Sequence, residues 1–167
     1  IAFYLFFQSS FEGILNNWTT SFLINSMSVP ESSALYGLSL FVAGMVVMRL
    51  FLGSLFRSAS TLRIMIISFA LLFAGLLLLK AGISFYAAVA GLFLLGAGLA
   101  GGFPIMLGLV GERFSDLSGT AFSIVMAVGL LGNMLINYGM GVIAQNYGIW
   151  HLITVASAEL VIMIVLF

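Results

Sequence analysis

Long apolar runs dominate this sequence and leave little choice of fold. Six stretches carry almost no charge, and short polar breaks separate them. A helix of about 20 apolar residues is long enough to cross the hydrocarbon core of a bilayer. Of the 167 residues, 63% are hydrophobic and 6% are charged, which is more apolar surface than a water-soluble domain of this size can bury. The sequence therefore predicts an all-α membrane protein.

The polar breaks define where the predicted helices begin and end. They give helices over roughly residues 1–25, 34–56, 63–80, 84–110, 119–143 and 149–167. Backbone inside lipid must satisfy its own hydrogen bonds, and these runs are too continuous for barrel strands of about 10 alternating residues. We expect one six-helix transmembrane domain over residues 1–167. Both ends of the sequence fall inside apolar runs, so we also expect a fragment of a longer protein.

Charge and composition exclude several classes of function. Five basic and five acidic residues cancel, so no surface could neutralise a run of nucleic-acid phosphates. There is no cysteine, and His151 is the single histidine, which leaves little material for a metal site. We expect no nucleic-acid partner, no metal and no cofactor.

The distribution of basic residues predicts the orientation in the membrane. The second and fourth connections carry Arg57, Arg63 and Arg113, and Arg49 lies just inside the helix before the second connection. The other connections carry only Lys80. Because cytoplasmic loops are enriched in Lys and Arg, we expect these two connections and both chain ends to lie in the cytoplasm, with the helices in the cytoplasmic (inner) membrane.

Polar residues in the first helix form the strongest candidate for a binding site. Gln8, Glu12 and Asn16 are four residues apart and share one helix face, and Asn17 follows directly. A carboxylate at this depth is costly unless it faces a cavity, a partner or a proton. Amides suit a hydroxyl-rich substrate. We predict a substrate cavity here; the alternative is hydrogen bonding between helices. Trp18 joins the site only if the helix breaks near Asn16, and otherwise marks the outer membrane interface.

Two further groups of polar residues lie in the fifth and sixth predicted helices. Asn133 and Asn137 share a face, either lining the substrate cavity or bonding to each other. Glu159 is a second acid in an apolar run. Burial favours a neutral carboxyl, so Glu12 and Glu159 are candidates for proton coupling. For Glu159 the alternative is a neutral acid hydrogen-bonded to a neighbouring helix.

Three local patterns carry a resemblance to a known family. The first is the run from Gly44 through Arg49 and Gly53 to Arg57, the second is the glycine-rich run 96–104 with Gly102 and Pro104, and the third is the run 118–133. They resemble, in this order, the cytoplasmic loop motif, the tenth helix and the eleventh helix in the C-terminal half of major facilitator superfamily transporters. Arg57 stands where that loop motif has an acidic residue.

The resemblance implies a larger molecule. The stretch from Glu12 to Trp18 and the pair Phe103-Pro104 are most similar to the fucose-permease-like branch of sugar/proton symporters. The family has 12 helices, of which this sequence would supply helices seven to twelve as two inverted three-helix repeats. Its substrate path runs between the halves, and one half rocks on the other. The residues implied in conformational change or gating are Gly44, Arg49, Gly53, Arg57, Gly102, Pro104 and Arg113.

These observations favour a secondary active transporter of a small polar solute, with a sugar as the favoured class and protons as the coupling ion. A carrier of a drug, an amino acid or an organic anion remains open. An intramembrane serine protease would need a serine and a histidine on facing helices, whereas Ser118 and His151 fall on opposite membrane faces. A passive channel would need a selectivity ring or filter, and no such pattern is evident. We therefore expect no enzyme activity.

Overall fold

The part of the chain that the structure describes is built from helices. The computed structural model describes residues 1–54 and 59–167, and within them it has no strand. Its elements are α1 (Ala2–Met27), α2 (Glu31–Ser54), α3 (Thr61–Ala81), α4 (Phe85–Leu99), α5 (Gly102–Arg113), a 3-10 turn (Ser115–Leu117), α6 (Ser118–Tyr147) and α7 (His151–Leu166). Only two residues separate α4 from α5, so these elements form six helical rods. The all-α prediction is confirmed.

Four of the rods in the described ranges are long and apolar enough to cross a membrane, judged by length and composition. They are α2, α3, α4 together with α5, and α6 together with the 3-10 turn before it. Helix α7 is apolar but has only 16 residues. Helix α1 has 26 residues, so its polar side chains rather than its length set it apart from these four.

Serine and glycine fix the ends of the helices around α3. The Ser60 hydroxyl accepts a hydrogen bond from the backbone N–H of Arg63 at 3.4 Å, and the Ser84 hydroxyl accepts one from Ala87 at 3.2 Å. Such caps satisfy donors that a helix start leaves unpaired. Gly82 ends α3 with a φ of 58°, a backbone conformation that favours glycine. The tight α3–α4 turn follows directly from these residues.

The core lies where α1 and α4 pack against their neighbours. Helix α1 packs along α6 and also contacts α7 and α2, while α2 and α3 both pack on α4. Phe11, Phe41, Leu92 and Leu95 are fully buried there. Helix α6, in contrast, turns one apolar face away from the bundle. The exposed residues of this face, called the open face of α6 below, are Leu131, Met134, Leu135 and Tyr138.

Glycines let α2 and α4 cross at backbone contact. A Cβ atom on Gly44 would collide with the backbone carbonyl oxygen of Phe93, and a Cβ atom on Gly96 would collide with that of Phe41. Only glycine permits so close an approach. Packing thus accounts for Gly44, which sequence reasoning assigned to gating. Gly53, assigned to the same role, has no atom within 4 Å of where its Cβ would lie.

The fourth rod is broken between α4 and α5, inside the glycine-rich run. Pro104 lies in the first turn of α5, where a backbone N–H has no partner within the helix, so its missing donor costs little there. In a continuous helix, the same missing N–H would leave the carbonyl of Ala100 without its donor. The break therefore coincides with Ala100 and Gly101. Bending of this rod during a transport cycle stays a prediction.

Candidate polar cavity

A cavity of about 440 Å³ lies between α1, α2, α5 and α6. Most of its wall is polar, and one acidic and one basic side chain contribute to it. The lining residues are Ser9, Glu12, Gly13, Asn16, Asn17, Arg49, Phe103 and Asn133. Four of the six residues predicted to bind a substrate, from two helices far apart in sequence, therefore meet in one place.

Helix α1 is unbroken and presents Glu12 to this cavity. Ser9, Gly13 and Asn16 lie three or four residues from Glu12, so they occupy the same side of the helix. Glu12 is half-buried, and its backbone carbonyl accepts a hydrogen bond from Nδ2 of Asn16 at 3.0 Å. Within the described ranges, no side chain hydrogen-bonds to the Glu12 carboxyl oxygens. The carboxyl is therefore free to bind a solute or a proton.

Arg49 lies in the polar cavity, although sequence reasoning grouped it with charges at the cytoplasmic surface. It is exposed, and it lines the same space as Glu12. Its helix continues for at least five residues beyond it, to Ser54, a rise of about 7.5 Å. The position of Arg49 more than one turn before the helix end was the feature of the sequence that could have indicated its place in the cavity. The cavity consequently holds a carboxylate and a guanidinium.

Three asparagine amides form a hydrogen-bonded chain between α1 and α6. Nδ2 of Asn17 donates to Oδ1 of Asn137 at 2.9 Å. Nδ2 of Asn137 in turn donates to Oδ1 of Asn133 at 2.7 Å and to its backbone carbonyl at 2.9 Å. Asn133 thus lines the polar cavity, while Asn137 bonds to Asn17 and Asn133 beside it, and a role of either in substrate binding stays a prediction.

Gly13 is a site residue that sequence reasoning used only as part of a motif. A Cβ atom here would lie 2.7 Å from Cγ of Asn133 and 2.7 Å from Nδ2 of Asn137. Glycine thus makes room for the asparagine amides against α1. The signal in the sequence was a glycine directly after the buried acid, but its partners on α6 are visible only in three dimensions.

Gln8 lies outside the polar cavity, although it belongs to the predicted stripe. Its side chain is only 1% exposed, and its Nε2 donates to the backbone carbonyl of Leu99 at 3.0 Å. Gly102 packs against the same amide. A spacing of four residues drifts by about 40° around a helix, which turns Gln8 toward the break in the fourth rod. Gln8 therefore satisfies a carbonyl at the end of α4.

Glu159 also lies away from the cavity, buried between α7 and α1. Its Oε1 is hydrogen-bonded to the Ser10 hydroxyl, and that hydroxyl also contacts the backbone carbonyl of Phe7 at 2.9 Å. A hydroxyl has one proton, and a carbonyl can only accept. The Ser10 hydroxyl is therefore shared between the Glu159 carboxyl and the Phe7 carbonyl and links α1 to α7. A coupling role for Glu159 stays a prediction.

Three other predicted gating residues, Gly102, Pro104 and Arg113, do not line the cavity. Pro104 and Gly102 belong to the break in the fourth rod. Arg113 lines a small surface hollow with Glu112, near Ile1. Arg57 lies outside the described residues.

A second space, called the end cavity below, follows the polar cavity along the same α1–α6 seam. It has a volume of about 630 Å³ and is lined by Trp18, Ser21, Asn25, Ser26, Ala144, Gln145, Gly148, Ile149 and Trp150. The Asn17–Asn137 hydrogen bond lies between the two cavities. Trp18 lies at the same level, and a Cβ atom added to Gly141 would lie 3.4 Å from its ring. Trp18 thus packs in the seam without joining the polar cavity.

Together these features define a helical bundle, compatible with a membrane protein, that has an open cavity lined by charged groups and amides. In comparisons with known proteins, no family model, no curated protein and no solved structure matches the chain. The resemblance to the major facilitator superfamily accordingly stays a prediction.

Proposed function

We propose that this chain is one half of a secondary active transporter that moves a small polar solute across the cytoplasmic membrane by alternating access. The observation that carries the proposal is the polar cavity. Glu12, Arg49 and three amides meet there within a bundle whose other helices are strongly apolar. Polar groups at bilayer depth are expensive, and proteins keep them mainly on substrate and ion pathways.

The chemistry of the cavity wall favours a hydroxyl-rich solute. Asn16, Asn17 and Asn133 offer both donors and acceptors, and the Glu12 carboxylate accepts hydrogen bonds from hydroxyl groups. Phe103 adds an apolar ring at the same wall. A sugar satisfies all of these groups, so we favour that class.

Arg49 supports a second class of solute. A guanidinium binds a carboxylate through two parallel hydrogen bonds, and this pairing is both strong and directional. An organic anion or an amino acid would place its carboxylate against Arg49. The two classes differ in which residue dominates affinity: Arg49 for an anion, and the asparagine amides for a sugar.

The open face of α6 supports a second half of the transporter. Leu131, Met134, Leu135 and Tyr138 are all at least half exposed on this face. We propose that the six preceding helices of the full protein cover it and complete the solute path, with lipid around the outside of both halves.

The alternatives fit the geometry less well. Ser118 is the first residue of α6, and His151 lies just beyond the other end of this helix. The 30 residues of α6 span about 45 Å. A serine–histidine pair of a protease needs direct contact. The polar residues of the cavity come mostly from α1, with Arg49 from α2 and Asn133 from α6, and they do not repeat as a ring around a pore, which argues for a carrier over a channel.

The solute class is tested by thermal-shift screening of the purified full-length protein. The panel contains sugars, nucleosides, amino acids and organic anions. A ligand at 100 times its dissociation constant stabilises the folded state by about 2.7 kcal/mol, which is readily detected. Stabilisation by sugars that is lost in Asn133→Ala supports the favoured class, whereas stabilisation by carboxylates that is lost in Arg49→Gln supports the second. No stabilisation by any member would contradict the proposal.

Proton coupling is tested with Glu12→Gln in proteoliposomes. This change keeps the size of the side chain and removes its ionisable carboxyl proton. We expect accumulation driven by a proton gradient to fall to background while downhill exchange of solute continues. Glu31→Gln is the matched control, because Glu31 is exposed at the start of α2. Full accumulation by Glu12→Gln would remove the coupling role from Glu12.

A further inference from the structure

Lys80 occupies an unusual position at the end of α3. It lies in the last turn of this helix and is exposed. It also lines a cavity of about 520 Å³ at the helix ends, whose wall is mainly apolar but includes the hydroxyl-bearing Ser26, Ser84 and Thr154 and the indole of Trp150. No acidic residue of the described ranges lines this cavity. Its one fixed charge is therefore positive, and the nearby hydroxyl groups can bind an anion.

The same lysine also lines a second, apolar groove. This groove has a volume of about 290 Å³ and follows the α3–α7 seam away from the helix ends. Its other lining residues are Phe73, Leu76, Leu77, Ser157, Leu160, Val161 and Ile164. From Lys80 back to Phe73 the helix rises about 10 Å. Lys80 thus lies between this cavity, called the chamber below, and the apolar groove, and it lines both.

Exposed aromatic residues lie at the end of the bundle where Lys80 lines both the chamber and the apolar groove. Tyr86, Tyr147 and Trp150 are largely exposed, and all three lie at the same end of the bundle as Lys80. Tyrosine and tryptophan are enriched at the level of lipid headgroups. At this level, an anionic headgroup in the chamber would leave its acyl chain in the hydrocarbon region.

We propose that this site binds one anionic phospholipid, with the headgroup phosphate on Lys80 and an acyl chain in the α3–α7 groove. The proposal rests on the membrane setting of the proposed function but not on solute transport. The positive charge, the acid-free lining and the apolar groove together match an anionic amphiphile. A free anion would leave the apolar groove empty, and a neutral lipid would lack the net negative charge that pairs with Lys80.

Native mass spectrometry of the detergent-purified full-length protein tests this site. The protein is titrated with dioleoyl phosphatidylglycerol, with dioleoyl phosphatidylcholine and with glycerol phosphate. We expect tighter retention of the phosphatidylglycerol than of the phosphatidylcholine, and no retention of glycerol phosphate. In Lys80→Gln the affinity for phosphatidylglycerol should fall about fivefold, as expected for one lysine at an anionic lipid, whereas Lys80→Arg should keep it.

The groove is tested separately by filling it. Val161 is exposed on α7 and lines the groove, whereas Val165 is exposed on the same helix and is not part of the lining. Val161→Trp should weaken both lipids, and Val165→Trp should weaken neither. Equal binding of the two lipids by the wild type, or unchanged selectivity in Lys80→Gln, would overturn the proposal.

The two proposals can fail independently. If lipid selectivity is absent while the protein resists extraction from membranes by carbonate and still transports a solute, only the lipid site is wrong. If carbonate extracts the wild type, the membrane setting is wrong, and both proposals fall.

Discussion

At the scale of single residues, the polar cavity depends on which side chains are small as much as on which are polar. Gly13 lies between Glu12 and the asparagine amides of α6 and leaves room for them. The amides then bond to one another and hold α6 against α1. Asn133 can therefore lie in the cavity wall because Gly13, the residue of α1 that faces it, has no side chain.

Gly13→Ala tests this dependence. The added methyl would overlap the side chains of Asn133 and Asn137, so we expect a loss of about 1–3 kcal/mol in the free energy of unfolding, typical of overpacking. Solute affinity should weaken as Asn133 shifts. Thermal unfolding in detergent, followed by the thermal-shift assay with the identified solute, measures both effects.

Gly139→Ala is the matched control for this change. Gly139 lies in α6 and has no atom within 4 Å of its would-be Cβ, so alanine should be neutral or slightly stabilising there. If Gly13→Ala unfolds no more easily than Gly139→Ala, the amides do not depend on Gly13.

Sequence reasoning located most polar residues of the cavity but not all of their roles. Glu12, Asn16 and Asn17 share α1, so their grouping follows from helix geometry alone. Gln8 belongs to the same stripe but turns to Leu99, because the break in the fourth rod leaves a carbonyl there. Contacts with helices distant in the sequence decide whether such a side chain lines the cavity, and the residue pattern of one helix does not reveal these contacts.

At the scale of helices, close crossings explain much of the glycine content. Gly44 and Gly96 each face a backbone carbonyl of the opposite helix, and Gly75 and Gly91 face each other's carbonyls in a looser crossing of α3 and α4. The long apolar runs predicted the rods well, because length and polar breaks are local properties. The interruption between α4 and α5 lies inside one predicted helix, 84–110, because glycine and proline allow several geometries and do not by themselves fix a break.

Gly96→Ala should destabilise the bundle more than most glycine changes. Its methyl would meet the backbone of Phe41, which cannot rotate away, so we expect a loss of about 3 kcal/mol, at the upper end for overpacking. Thermal unfolding of the purified variant measures this loss. Gly108→Ala in α5 is the comparison, because its Cβ would meet no atom within 4 Å. Equal stability of the two variants would refute the close crossing.

At the scale of the whole molecule, the two ends of the bundle differ in their charged and aromatic residues. Arg63, Glu112 and Arg113 lie at the end where α3 and α6 begin, whereas Tyr86, Tyr147 and Trp150 lie at the other end with Lys80. The orientation predicted from the basic residues, with the first of these two ends in the cytoplasm, stays a prediction.

Single-cysteine labelling tests that orientation, because the 167 residues contain no cysteine. Ile83 is 80% exposed in the α3–α4 turn, and Leu117 is 67% exposed before α6. A membrane-impermeant maleimide should label Ile83→Cys in intact cells and Leu117→Cys only after permeabilisation. The unsubstituted protein measures background labelling. Labelling of both variants from the same side would contradict a bundle that spans the membrane in this orientation.

Helix α1 has a further consequence for how the bundle can move. Gln8 ties it to α4, Ser10 ties it to α7, and Asn17 ties it to α6, all within ten residues of one continuous helix. A rotation of α1 on its own would break all three bonds at once. Any movement that opens the polar cavity should therefore displace α1, α4, α6 and α7 together as one rigid block. The surrounding structure would then adjust at the outer surfaces of this block.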